Sequence, residues 1–220
     1  MRNPSSSIRF GALALLVALA SSPSVQAQSR NPAAAGAPAN AATAQQPQTA
    51  LPTTPEAALE RLNTYFNSID VLTASFTQMG GGQRSQGTLQ LKRPGQLRFA
   101  YAPPSTLEIV SDGRSVAIRD KKLGTNDVYP IGQTPLKFLL QEQFDLARDT
   151  KVRNVQTNPD GTIVVRFDDT ATFGGTSKIT LEFDAKRNRL KEWSVIDPQG
   201  YETQVVLSDI EVATRASAAR

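Results

Sequence analysis

Between Leu72 and Asp209 apolar and polar residues alternate in short runs, each closed by turn residues after roughly ten positions. Strand side chains point to opposite faces at every step, so this period belongs to half-buried β-strands and not to helices. Eleven runs can be marked, at roughly 72–79, 86–92, 96–101, 106–111, 115–120, 125–129, 151–157, 161–167, 177–184, 189–196 and 201–209. Asp112-Gly113, Asn158-Pro-Asp-Gly161, Gly174-Gly175, Lys186-Arg-Asn188 and Pro198-Gln-Gly200 supply turns. With connections this short, neighbouring strands pair antiparallel. Ile163, Val165 and Phe167 crowd one face of their run, as do Ile179, Leu181 and Phe183, and Val205 and Leu207. Eleven twisted strands are too many to stay flat and open. The expected fold is therefore mainly β with few helices, an unclosed antiparallel half-barrel.

Helix signals occur twice. Thr54-Pro55-Glu56 combines a capping hydroxyl, a proline at the first helical position and an acid near the positive end of the dipole. Leu59, Leu62, Tyr65, Phe66 and Ile69 follow at helical spacing. The second helix is expected over Thr134 to Glu142. At about 100° per residue, Leu136, Leu139 and Leu140 fall on one side and Phe138 nearly opposite, with Lys137 and Gln141 as a polar stripe. Such a helix is either buried in the core or a lid with one side on the sheet and the other offered to a ligand. Two small helices cannot coat eleven strands, so a concave apolar surface is left over, and unfilled surface of that kind binds something.

The hairpin Gln86 to Tyr101, bent at Pro94-Gly95, places that surface. Leu89 and Leu91 share a face with Arg93, opposite Thr88, Gln90 and Lys92, and Leu97, Phe99 and Tyr101 share a face on the return strand. Leu89, Leu91, Leu97, Phe99, Leu107, Ile109, Val116 and Ile118 are the expected cavity lining. Arg93 ends a strand on its apolar side. Position alone leaves two readings open: a strand-end arginine that snorkels to water, or a guanidinium fork that ties down carbonyls of whatever covers the face.

The ends of the chain are of a different kind. Arg2 and Arg9, the apolar run Phe10 to Ala20, and small residues up to Ala27 read as a secretory signal peptide, 1–27, too short in its apolar part to span a bilayer. Residues 28–53 are rich in Ala, Gln and Pro and read as a flexible tether. The domain is expected over 54–212 and a tail over 213–220. The net charge of +4 falls to +2 once Arg2 and Arg9 are removed, which is no nucleic-acid signature. The chain has neither cysteine nor histidine, hence no disulfide, no thiolate or imidazole metal ligand and neither the commonest general base nor the strongest nucleophile. No cofactor, metal site or catalytic residue is expected. The pair Asp168-Asp169 beside a glycine-rich turn reads as a solvated loop.

Five segments then carry a resemblance: Val71-Leu-Thr-Ala-Ser-Phe-Thr-Gln78, Gly87-Thr-Leu-Gln-Leu-Lys-Arg-Pro94, Val110-Ser-Asp-Gly113, Gln133-Thr-Pro-Leu-Lys-Phe-Leu-Leu140 and Trp193-Ser-Val-Ile-Asp-Pro-Gln-Gly-Tyr-Glu-Thr203. In this order, over about residues 56 to 210, they resemble the periplasmic outer-membrane lipoprotein carrier (LolA-like) family. The resemblance implies a helical lid, Leu136, Phe138, Leu139 and Leu140 here, over a cavity for lipoprotein acyl chains. It implies that Arg93, the arginine of the Lys-Arg-Pro motif, latches that lid. It also implies a monomeric periplasmic carrier, loaded by an inner-membrane ABC complex and unloaded at an outer-membrane lipoprotein acceptor. The connection from Asp120 to Gln133 is shorter than in better-known members, and their extra C-terminal segment is missing. Related half-barrels leave a carrier of another acylated lipid or glycolipid, or an envelope lipoprotein sensor, as alternatives, with an enzyme as the competing class.

Overall fold

A computed structural model describes residues 50–215. The expected signal peptide, residues 28–49 of the expected tether and residues 216–220 of the tail lie outside the described residues. All eleven expected strands are present: β1 (Ile69–Gly80), β2 (Gln83–Lys92), β3 (Gln96–Tyr101), β4 (Leu107–Asp112), β5 (Ser115–Asp120), β6 (Thr125–Pro130), β7 (Lys151–Thr157), β8 (Thr162–Asp169), β9 (Ser177–Asp184), β10 (Arg189–Ile196) and β11 (Glu202–Thr214). They form one antiparallel sheet in the order β6-β5-β4-β3-β2-β1-β11-β10-β9-β8-β7. The two longest strands, β1 and β11, pair at its centre, and β6 and β7 are its free edges. The sheet is therefore unclosed.

That order decides where the remaining helices go. The chain leaves one edge at Pro130 and enters the other at Lys151, so residues 131–150 must cross the open side of the sheet. The crossing carries a single 3₁₀ turn (Ile131–Gln133) and two short helices, α2 (Lys137–Leu140) and α3 (Leu146–Asp149). The expected nine-residue helix is thus one turn long. It stops because Gln141 leaves helical geometry, with φ −63° and ψ 143°. α3, missed in the sequence, starts at Asp145, whose carboxylate accepts from the Ala147 and Arg148 amides.

The first helix, α1 (Pro55–Ser68), forms as expected, with the Thr54 hydroxyl accepting from the Ala57 amide. It buries Ala58, Leu62, Tyr65 and Phe66, while Leu59 is only half-buried. The core lies between this face, the crossing segment and the inward rows of the sheet. Aromatic edges join the layers, Tyr65 to Phe183 at 5.0 Å, Phe66 to Phe138 at 5.6 Å and Phe138 to Trp193 at 6.0 Å, and within the sheet Phe99 meets Phe76 at 5.1 Å. Among the described residues no helix is long and apolar enough to cross a membrane.

Contacts with the folded part continue past both expected bounds, 54 and 212. Leu51 packs on the core, the Ala50 carbonyl accepts from Arg61 at 3.4 Å, and the Arg215 amide donates to the Ser68 carbonyl at 2.8 Å. Deleting residues 28–49 should leave the melting temperature of the mature protein unchanged, whereas a deletion carried through Thr53 should lower it by several degrees. Thermal unfolding followed by circular dichroism checks both.

Candidate functional site

The β2–β3 turn sits under the crossing segment and is fitted to it. Gly95 has φ +78°, and a Cβ there would lie 2.5 Å from the Gly113 Cα, so two turns meet where only glycine fits. The Gly95 amide donates to the Leu140 carbonyl at 2.8 Å. Arg93, two residues before, is 3 % exposed. Its Nη1 donates to the Phe66 carbonyl near the end of α1 and its Nη2 to the Gln141 carbonyl that ends α2. Carbonyls at helix ends have no partner within the helix. One guanidinium supplies partners to two helices, and the Arg93 amide donates to the Asp70 carbonyl at 2.9 Å. Burial, with a smaller contribution from Arg215, brings the Arg93 guanidinium down to about 10. It remains charged at neutral pH, and its bonds to carbonyls are charge-assisted.

A second tie was not legible in advance. Lys137, expected on a polar stripe, is 7 % exposed, and its Nζ donates to Asp169 Oδ1 at 2.7 Å. Asp169, expected in a solvated loop, is fully buried at the end of β8, where Oδ1 also accepts from the Ala171 amide at 3.0 Å. Both expectations fail for one reason. The crossing segment lies over the inward end of β8, so the polar side of α2 faces a buried carboxylate instead of water.

Leu136, Phe138, Leu139 and Leu140 are all buried. Phe138 projects between Phe66 and Trp193, filling the middle of the half-barrel. Beside it remains a cavity of about 300 Å³. Of the eight residues expected to line it, the structure brings Phe99, Ile109 and Ile118 there. Leu89, Leu91, Leu97, Leu107 and Val116 are buried but not in the lining. Leu91, Leu97 and Val116 belong to the cross-strand row nearest the Arg93 turn, where α2 is held down. The open space is displaced toward the far half of the sheet. Tyr101, Leu136, Trp193, Val195 and Val205 complete its apolar wall. Val205 was legible from strand alternation; Trp193, near the middle of β10, required knowing which way that strand faces.

The rim is polar and aromatic. The Tyr101 hydroxyl, whose titration burial pushes up, donates to Gln78 Oε1 at 2.7 Å. The Phe173 amide donates to the Gln133 carbonyl at 2.8 Å, and its ring lies 5.8 Å from Tyr129. This fixes the β8–β9 loop against the crossing segment. Among the described residues no group of carboxylates could hold a metal ion. The arrangement is a largely apolar chamber under a segment held by directional polar ties, a shape and lining suited to binding an apolar chain.

The sequence profile of the family described as "Outer membrane lipoprotein carrier protein LolA" matches residues 67–220. An outer-membrane lipoprotein carrier protein of Chromohalobacter salexigens is 30 % identical over 184 residues, covering 78 % of this chain and 86 % of the relative. One from Methylobacillus flagellatus is 29 % identical over 163 residues, covering 70 % and 78 %. Among solved structures, a LolA superfamily protein from Nitrosomonas europaea aligns with a TM-score of 0.39 at 10 % identity, covering 75 % of this chain and 96 % of that one.

The buried ion pair can be tested on its own. Lys137→Met leaves Asp169 charged and unpaired and should destabilise the protein by about 3–5 kcal/mol, whereas Lys137→Met with Asp169→Leu should recover most of that loss. Urea unfolding of the two single variants and the double variant reads the coupling; additive losses would show that the pair is not a unit.

Proposed function

The chain belongs to the LolA family of outer-membrane lipoprotein carriers, and we propose that it holds the acyl chains of lipoproteins released from the inner membrane in the chamber beneath α2 and carries them through the periplasm to an acceptor at the outer membrane. The observation that carries this reading is Arg93. A charged side chain buried in an apolar core is expensive unless its donors are used, and here both terminal nitrogens are spent on carbonyls of α1 and of the crossing segment. Bonds of that placement are kept only while the segment is down. On this reading residues 134–141 are a lid, Arg93 is its latch, and the closed chamber is the empty state. A single chamber of about 300 Å³ is at the small end for a ligand site, so cargo with long acyl chains must displace Phe138 and the leucines around it.

Loading then breaks the Arg93 bonds, worth about 1.5–3 kcal/mol each. Their energy opposes uptake and favours release, keeping the affinity for cargo low enough for onward transfer. The proposed partners are an inner-membrane ABC complex that loads the carrier and an outer-membrane lipoprotein acceptor that unloads it, with the carrier acting as a monomer. Family membership favours this over an enzyme and over a sensor.

Arg93→Leu should fold, accept lipoprotein and release it poorly, so that cargo accumulates on the carrier. Arg93→Lys should be partly defective, because an ammonium lacks the planar fork. Purified carrier loaded by the transporter and presented with acceptor membranes provides the measurement; transfer by Arg93→Leu at the wild-type rate would remove the latch role.

A further inference from the structure

The inward face of β8, β9 and β10 is apolar row after row and then changes character at one end. Asp169 ends β8 and pairs with Ser177, the first residue of β9. Ile196 pairs with Lys178, which brings Asp197, the next residue, level with Ser177 on the other side. Three polar residues on adjacent strands therefore form one row, with Thr172 in the loop beside it. Ser177, Thr172 and Asp197 line the cavity.

Each of these groups keeps an oxygen that the fold does not use. Ser177 is fully buried and points inward with Ile179, Leu181 and Phe183, yet its Oγ has no hydrogen-bond partner. Thr172 Oγ1 has none either. Asp197 Oδ1 accepts from the Gln199 and Tyr201 amides, both at 2.9 Å, and so closes the β10–β11 turn, while Oδ2 is buried and unpartnered. Asp169 repeats the pattern, with Oδ1 committed to Lys137 and Ala171 and Oδ2 unpartnered. Buried polar groups are almost always satisfied, and a serine that adds nothing to the fold at a fully apolar strand position would be better as alanine. The three such oxygens that face the chamber, those of Ser177, Thr172 and Asp197, form a recognition surface at one end of it.

We infer that this row seats the polar head of an amphiphile whose acyl chain lies along Trp193, Val195 and Val205. Resting on the carrier reading above, this adds the chemistry of the head group. Asp197 is an acceptor only, while the two hydroxyls can donate or accept, so the head must carry hydrogen-bond donors, either the O–H of a glyceryl or sugar group or the N–H of an amide. Lys137 offsets Asp169, which leaves Asp197 as the uncompensated charge and disfavours an anionic head. A bare hydrocarbon or a simple ester would leave these oxygens buried and unused. The chamber therefore selects acyl groups by what joins them to the rest of the cargo.

The test displaces an environment-sensitive dye from the full mature chain with three probes of equal chain length: monolauroylglycerol, N-lauroylglycinamide and methyl laurate. The first has O–H donors, the second N–H donors and the third none. Wild-type protein should bind a donor-bearing probe about tenfold or more tightly than methyl laurate, and the better of the two identifies the head. Ser177→Ala, Thr172→Val and Asp197→Asn should each reduce that ratio while leaving methyl laurate binding unchanged, which also certifies folding. Equal displacement by all three probes would overturn the polar row and leave the carrier reading standing. A preference that survives all three substitutions would overturn the assignment to these residues. Displacement by none would overturn both.

Discussion

A buried guanidinium that bonds to the ends of two helices holds this structure together. Arg93 ends the second strand on its apolar face, where a charge is tolerated only if its donors find partners. Those partners are the Phe66 carbonyl of α1 and the Gln141 carbonyl that terminates α2. Next to this contact α2 ends after one turn, Phe138 lies between Phe66 and Trp193, and the chamber lies toward the far half of the sheet. Hydrophobic burial alone would bring these elements together but would not fix their angle, because it has no direction.

Topology makes such a fastening necessary. With β6 and β7 as the two free edges, the chain between them has to cross the open side, and in this protein it does so with three short turns of helix too brief to be stable alone. Its position depends on what it is tied to. Arg93 and Gly95 hold one half of it near the β2–β3 turn, and Lys137 with Asp169 holds it at the end of β8. On the proposed carrier reading, a segment stabilised by a few directional bonds at its ends, with apolar side chains below, exchanges those side chains for an acyl chain of similar character. In that proposal, opening turns on polar bonds worth a few kcal/mol, not on unfolding.

The sheet was legible in the sequence because its signal is local: alternation, turn residues and short connections repeat eleven times. The start of α1 was legible for the same reason, from Thr54, Pro55 and Glu56. The features that failed are those set by distant partners. Lys137 looks solvent-facing on a helical wheel, and Asp169 looks like loop, until β8 is known to end beneath α2. The second helix ends at Leu140, and the Gln141 carbonyl just beyond it accepts from Arg93, 48 positions away. The expected lining takes four residues from the hairpin that bears the clearest pattern and four, Leu107, Ile109, Val116 and Ile118, from the next two strands. Which part of that surface borders the chamber depends on where the crossing segment is fastened, so Leu91, Leu97 and Val116 lie outside its lining while Trp193 and Val195 lie in it. Position alone does not decide Arg93, since a strand-end arginine is free to face either way until the carbonyls around it are seen.

The central claim is that cargo and the fastened segment compete for the same space. Amide hydrogen exchange measured on the empty protein and on protein saturated with an acylated peptide reads this directly. The reporters are the Gly95 amide, which is bonded to Leu140, and the Gln141 amide, which is bonded to Lys137. Both should exchange faster in the loaded protein, while amides at the centre of β1 and β11 keep their protection. Unchanged or increased protection at Gly95 and Gln141 on loading would mean that the segment stays in place, and would contradict the account.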